Sequence, residues 1–278
     1  MSLFKTSFIA SALALSWSVM SAQAAVSSNT SLTNIQITVE DLNTGDLVLP
    51  SFSITDSPRG TLLHLALSAA PDYYTYYGDD WTGEDWLTTP MSLTVNAPKS
   101  TATASVGVDF LSASGLAFTN GGTFIAYSAA PDYQGDDFTL SAHTSVRIKA
   151  LASVQFSLDA RQPTPGIQQV GSDEVSGSAG ISLVGSDGPF LEERFGLEYT
   201  FLKHHDAVSY GGSRWLEVEL TNDSDHAIHG QFSVFAHALG ALATTVPEPS
   251  DLALTLAGLG VLGGWARRKA LTSATSST

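Results

Sequence analysis

Along most of the chain, apolar side chains recur at every second residue. Ile35, Ile37 and Val39 alternate with Gln36, Thr38 and Glu40. Leu63, Leu65 and Leu67 share a face, as do Val106, Val108 and Phe110. The same period carries Val146, Ile148 and Ala150 between Arg147 and Lys149, then Val154, Phe156 and Leu158. Later come Phe195, Leu197, Tyr199 and Phe201; Leu216, Val218 and Leu220; and Phe232, Val234 and Ala236. A period of two lays one face of a strand on a core and the other in water. Turn-forming runs separate these segments: Asn43-Thr44-Gly45-Asp46, Asn120-Gly121-Gly122, Ser186-Asp187-Gly188-Pro189 and Asn222-Asp223-Ser224-Asp225. No body segment sustains a helical period with caps at both ends. The pattern predicts an all-β body, an antiparallel two-sheet sandwich of jelly-roll or Ig-like kind. Residues 162–188, rich in Gly, Ser and Pro, read either as a domain boundary or as a long mobile loop inside one domain. A single domain is retained.

Both ends break the period. The first 24 residues carry one cation (Lys5), an apolar run from Phe8 to Met20, and the small-x-small triplet Ala22-Gln23-Ala24. That order predicts a secretory signal-peptide helix with cleavage between Ala24 and Ala25. At the other end, Leu252 to Ala266 is a run of 15 uncharged residues. As a helix it would span about 22 Å, short of a bilayer core but insertable with local thinning. Arg267, Arg268 and Lys269 stop it and would stay on the cytoplasmic side. Pro247 and Pro249 hold Glu248 in extended chain just before it. The expected division is signal peptide 1–24, sandwich body 25–245, sorting segment 246–269 with its hydrophobic helix at 252–266, and tail 270–278.

One echo runs through the body. Ser68-Ala69-Ala70-Pro71-Asp72-Tyr73 recurs as Ser128-Ala129-Ala130-Pro131-Asp132-Tyr133. Each copy precedes a Gly-Asp-Asp-aromatic run, which predicts two equivalent strand-to-loop corners from an old hairpin duplication. Two copies are too few for a solenoid.

Composition narrows the chemistry. An exported chain without cysteine holds its body together by packing and has no thiolate nucleophile or thiolate metal site. Between residues 25 and 246, eight cations face 25 anions, a surface that repels nucleic acid. No serine elbow, zinc-binding helix motif or EF-hand loop is present. The Gly-x-Gly-x-x-Gly match at Gly258, Gly260 and Gly263 lies inside the apolar tail and follows no strand, so it is no dinucleotide cradle. The densest polar-aromatic cluster spans residues 72–86. Its Tyr74, Tyr76, Tyr77, Trp81 and Trp86 could stack on sugar rings, and its carboxylates could instead ligate Ca²⁺. The plainer reading is an acidic surface loop pinned by its aromatics. His204-His205 and His226-x-x-His229 read as ordinary histidines, because strand neighbours and residues three apart point to opposite faces. No catalytic or metal-ligating set is predicted.

Val246-Pro247-Glu248-Pro249-Ser250, the glycine-spotted apolar run and the Arg267-Arg268-Lys269 stop together resemble the PEP-CTERM sorting signal of Gram-negative bacteria. The resemblance covers about 25 residues, and the order of its three parts is specific. It implies Sec export, transient anchoring in the inner membrane, and recognition of the Pro-Glu-Pro strip by an exosortase-type membrane protease. It further implies delivery to the cell surface or extracellular matrix, in bacteria that make exopolysaccharide. Several body segments, among them Ser31 to Ile35 and Leu220 to Ala236, look like recurrent strands of such proteins and bring no characterised activity. The expectation is a non-enzymatic biofilm or matrix protein without a cofactor. A glycan-binding module is the alternative and a secreted hydrolase comes third.

Overall fold

The computed structural model describes residues 24–54, 61–69, 76–82, 90–97, 99–119, 125–161, 167–186, 190–202, 205–247 and 259; for 61–69, 76–82, 132–136, 167–170 and 244–247 it describes the backbone. The chain runs through β1 (Ala24–Asp41), β2 (Phe52–Ile54), β3 (Thr61–Ala69), β4 (Tyr76–Thr82), β5 (Met91–Ala97), β6 (Ser100–Gly107), β7 (Phe110–Thr119) and β8 (Ile125–Leu140). It continues through β9 (Thr144–Leu158), β10 (Ile167–Val170), β11 (Asp173–Gly185), β12 (Phe190–Phe201), β13 (Val208–Asn222), β14 (Ile228–Leu242) and β15 (Thr244–Pro247). One sheet is ordered β13-β9-β1-β7-β6-β5 and the other β12-β11-β14-β8-β3-β4, with β2 beside β8. β10 and β15 form a small sheet of their own. Neighbouring strands are antiparallel throughout.

The two large sheets close on a shared core that includes Val26, Leu32, Leu111, Tyr127, Phe138, Ile148, Ile181 and Phe232. The antiparallel two-sheet expectation holds. The two sheets together hold thirteen strands, more than the eight of a simple jelly roll or the seven to nine of an Ig sandwich. Among the described residues no helix is long and apolar enough to cross a membrane. The expected signal-peptide helix and the 252–266 helix fall outside those residues, except that Ala24 opens β1 and Leu259 is helical.

Three strand readings change. In β1 the Ile35-Ile37-Val39 alternation is the half-exposed end, and the core half is Val26, Ser28, Thr30 and Leu32. A register shift between Thr33 and Gln36, with Asn34 at φ 54°, exchanges the inward parity from even to odd. Val106 is buried, whereas Val108 sits exposed in the two-residue turn between Gly107 and Phe110, so those three never shared a face. Part of the presumed 162–188 loop is β11, hydrogen-bonded on both sides and buried along nearly its whole length. Val175, Ala179, Ile181 and Leu183 reach the core, while Ser178 and Ser182 are buried with partners: Ser182 Oγ lies 2.6 Å from Ser233 Oγ. The echo also resolves differently. Ser68 and Ala69 of the first copy lie on β3, its Ala70 to Tyr73 being outside the described residues, and the second copy lies on the adjacent β8, with Ser68 opposite Ala126 and Ala66 opposite Ser128. β8 runs straight through Ala130, Pro131 and Asp132, so the second copy is no corner.

Tyr127 is the densest packing point. Its ring lies between Gly240, its cross-strand partner, and Gly115 of the facing sheet. A β-carbon at Gly115 would fall 2.0 Å from the ring, and one at Gly240 2.5 Å from it. The phenol donates to Ser28 Oγ at 2.9 Å, and Ser28 donates to Leu239 O at 3.3 Å. Burial pushes the phenol's pKa upward, against the smaller pull of Ser28.

The strands run between two poles. One gathers Ala24, Leu158, Asp173, Phe201, Val208 and Leu242; the other gathers Asp41, Thr144, Gly185, Asn222 and Ile228. At the second pole, Asn222 Nδ2 donates to Leu140 O, Ser141 O and His226 O (3.3, 2.8 and 2.9 Å), which ties one sheet to the other.

Candidate functional site

The last strand of the body is held by a buried charged cluster at the first pole. Arg161 leaves the end of β9, Asp173 opens β11, and His205 lies between β12 and β13. Arg161 Nε and His205 Nε2 each lie 3.0 Å from Asp173 Oδ2. The three side chains are 8%, 1% and 3% exposed, which makes this the driest ionic contact among the described residues. Arg161 and His205 also exchange backbone hydrogen bonds, and the His205 ring stacks on Phe201 with centroids 4.3 Å apart. Burial pulls the guanidinium pKa down, and the neighbouring Asp173 charge partly offsets that pull.

This cluster grips Ala243. Its N–H donates to Asp173 Oδ1 at 2.7 Å, and its carbonyl accepts from Arg161 Nη1 at 2.9 Å. The next residue begins β15, where Thr244, Thr245, Val246 and Pro247 face Val170, Gln169, Gln168 and Ile167 of β10. The predicted strip therefore starts inside a sheet. Val246 and Pro247 belong to β15, while Glu248, Pro249, Arg267, Arg268 and Lys269 lie outside the described residues. At the other end, Ala24 and Ala25 are the first residues of β1; Ala24 is buried opposite Thr119. The Ala25 N–H donates to Asp159 Oδ2 and its carbonyl accepts from Asp159 N–H, both at 3.0 Å.

The aromatic stretch lies elsewhere. Tyr74 and Trp86 are outside the described residues; Tyr76, Tyr77 and Trp81 are on β4, the edge strand beyond β3. Tyr76 stands opposite Ala66 and Trp81 opposite Leu62, with a register shift between them.

Among the described residues no three His, Asp or Glu side chains could hold a metal ion. His205 belongs to the buried cluster, while His226 and His229 are exposed, His229 Nδ1 lying 3.1 Å from Thr139 Oγ1. The 161–173–205 cluster was missed by sequence reasoning. Its members are spread over 45 positions of the chain, and nothing local sets Asp173 apart from Glu174 and Asp187 in the same Gly/Ser-rich stretch.

Residues 245–269 match the family described as the PEP-CTERM protein-sorting motif. The match implies an exported chain, a membrane-associated C-terminal sorting signal and processing by an exosortase-type system. No curated protein matches the chain. Among solved structures, the tandem CBM22 domain pair of Xyn10C from Paenibacillus barcinonensis is 10% identical, covering 80% of this chain and 78% of that one, at a TM-score of 0.11. The C-terminal globular domain of an oligosaccharyltransferase from Pyrococcus abyssi is 11% identical, covering 78% of this chain and 50% of that one, at a TM-score of 0.10. Likenesses at that level bear on neither fold nor function.

Proposed function

We propose that the chain is a non-enzymatic surface or matrix protein, exported through the Sec translocon, held briefly in the inner membrane and released by an exosortase-type protease. Its setting is an exopolysaccharide-rich biofilm. The observation that carries this reading is the sorting-motif match at residues 245–269, which begins within the last strand of the body. The signal-peptide pattern of residues 1–24 supports export independently. Intact mass of the mature protein from its native host is the direct test. The expected chain begins at Ala25 and ends near Pro249; a mature chain that still carries Trp265 and Thr278 overturns the reading.

A second reading, a glycan-binding role, is favoured by the placement of Tyr76, Tyr77 and Trp81 together on β4, the edge strand of its sheet. Aromatic faces stack on apolar sugar faces much as they do on other rings. In a pull-down on the host's own polysaccharide, Trp81→Ala is expected to lose retention at least tenfold with the unfolding midpoint unchanged. Retention equal to wild type sinks the lectin-like role and leaves the sorting account standing.

A further inference from the structure

We propose that the sandwich stands on the membrane by its first pole, where one three-residue stretch, Asp159-Ala160-Arg161, holds the two ends of the body side by side. This rests on the sorting reading above and adds an orientation to it. Asp159 holds the start of β1 through the paired 3.0 Å bonds to Ala25. Two residues on, Arg161 holds the last residue before β15 through Ala243 O at 2.9 Å, and Asp173 completes the grip. The two termini of the body are thereby neighbours at one pole.

Covalent reach then fixes which pole meets the bilayer. Four residues, Ser21 to Ala24, separate the apolar leader run from Ala25, and four, Glu248 to Asp251, separate Pro247 from the apolar tail. Four extended residues span at most about 14 Å. β9, whose 15 residues run from one pole to the other, is about 45 Å long. Neither tether can bring the second pole to the surface in place of the first. In the upright stance proposed, Asp223, Asp225 and the fully exposed Leu47, all at the second pole, face away from the membrane.

The absence of cysteine makes the test clean. Single-cysteine variants at exposed positions, Asp206→Cys at the first pole and Asp223→Cys at the second, are labelled with a fluorophore in the full chain. Each is mixed with phosphatidylethanolamine–phosphatidylglycerol vesicles that carry a quencher on the lipid headgroup. The expected result is co-flotation of both variants, with quenching at residue 206 at least threefold stronger than at 223. Inserting ten Gly/Ser residues between Pro249 and Ser250, in a chain already cleaved at Ala25, is expected to erase that difference. Co-flotation with equal or reversed quenching overturns the orientation and leaves the anchor intact. Failure to co-float at all overturns the membrane anchor of the sorting reading, and the orientation with it.

Discussion

Replacing Asp173 by Ala is expected to lower the unfolding free energy by about 3–5 kcal/mol, the cost typical of removing one partner from a buried ion pair. Asp173 is 1% exposed and receives three groups: Ala243 N–H on Oδ1, Arg161 Nε and His205 Nε2 on Oδ2. Without it, Arg161 keeps one bond, to Ala243 O, and a desolvated charge with no opposite charge beside it. Because burial already drives the Arg161 pKa down, loss of the offsetting carboxylate makes its charged form costlier still. Asp173→Asn retains an oxygen for Ala243 and is expected to cost less than half as much. Urea unfolding measures both. In hydrogen exchange, the amides of residues 243–246 are expected to lose protection first in Asp173→Ala, because that residue holds the chain entering β15. An unchanged midpoint together with unchanged protection at Ala243 would falsify the clasp.

Gly115→Val is the second large effect, expected at about 3 kcal/mol, the upper part of the range for overfilling a packed core. Its first new carbon falls 2.0 Å from Tyr127 Cδ2, and the ring has nowhere to retreat, since Gly240 touches it from its own sheet. Movement would also break the phenol's bond to Ser28, which is the cross-strand partner of Gly115. A double-mutant cycle isolates the clash: Gly115→Ala is expected to be costly in the native chain and nearly free once Tyr127→Ala has removed the ring. Thermal or urea unfolding of the four proteins gives the coupling, and simple additivity would show that the slot is not tight.

The parts of the fold that were legible are strands whose inner positions are large and whose outer positions are charged. In β9 and β13, Val146, Ile148, Leu216, Val218 and Leu220 go in while Arg147, Lys149, Glu217 and Glu219 stay out. Arg147 and Glu219 even pair across the outer face, which holds the Glu219 carboxyl below its usual range. Where the core is lined by Ser, Thr, Gly and Ala, the period is present but carries no hydrophobic contrast. Thus the core positions Ser28 and Thr30 of β1 gave no hydrophobic signal, and β11, with Gly177 and Ala179 on its core face and Ser178 and Ser182 buried on the other, lay within the stretch read as a boundary or a loop. Hydroxyls that find partners inside, as Ser28 does with Tyr127 and Leu239 O, cost little to bury, so nothing forces a larger residue there. The sorting segment was legible because its signal is contiguous: 25 residues in fixed order. The Arg161–Asp173–His205 cluster was not, because three residues separated by 12 and 32 positions meet only after β9, β11 and β14 have docked.

On the proposed reading of residues 1–24 as a leader cleaved before Ala25, the pairing of β1 also sets a clock. Ala24 and Ala25 pair with β7, and Ala25 exchanges hydrogen bonds with Asp159, just past β9 and 134 positions later. A peptide bond sealed in a sheet is a poor protease substrate, so leader removal and sheet closure compete for the same backbone groups. Contacts at such sequence separation form slowly, and this one cannot form until the end of β9 has crossed the membrane. The long register thus grants the leader peptidase an interval equal to the transit of more than half the body. A variant with faster closure, reached by bringing the partner of β1 closer in sequence, would keep its leader.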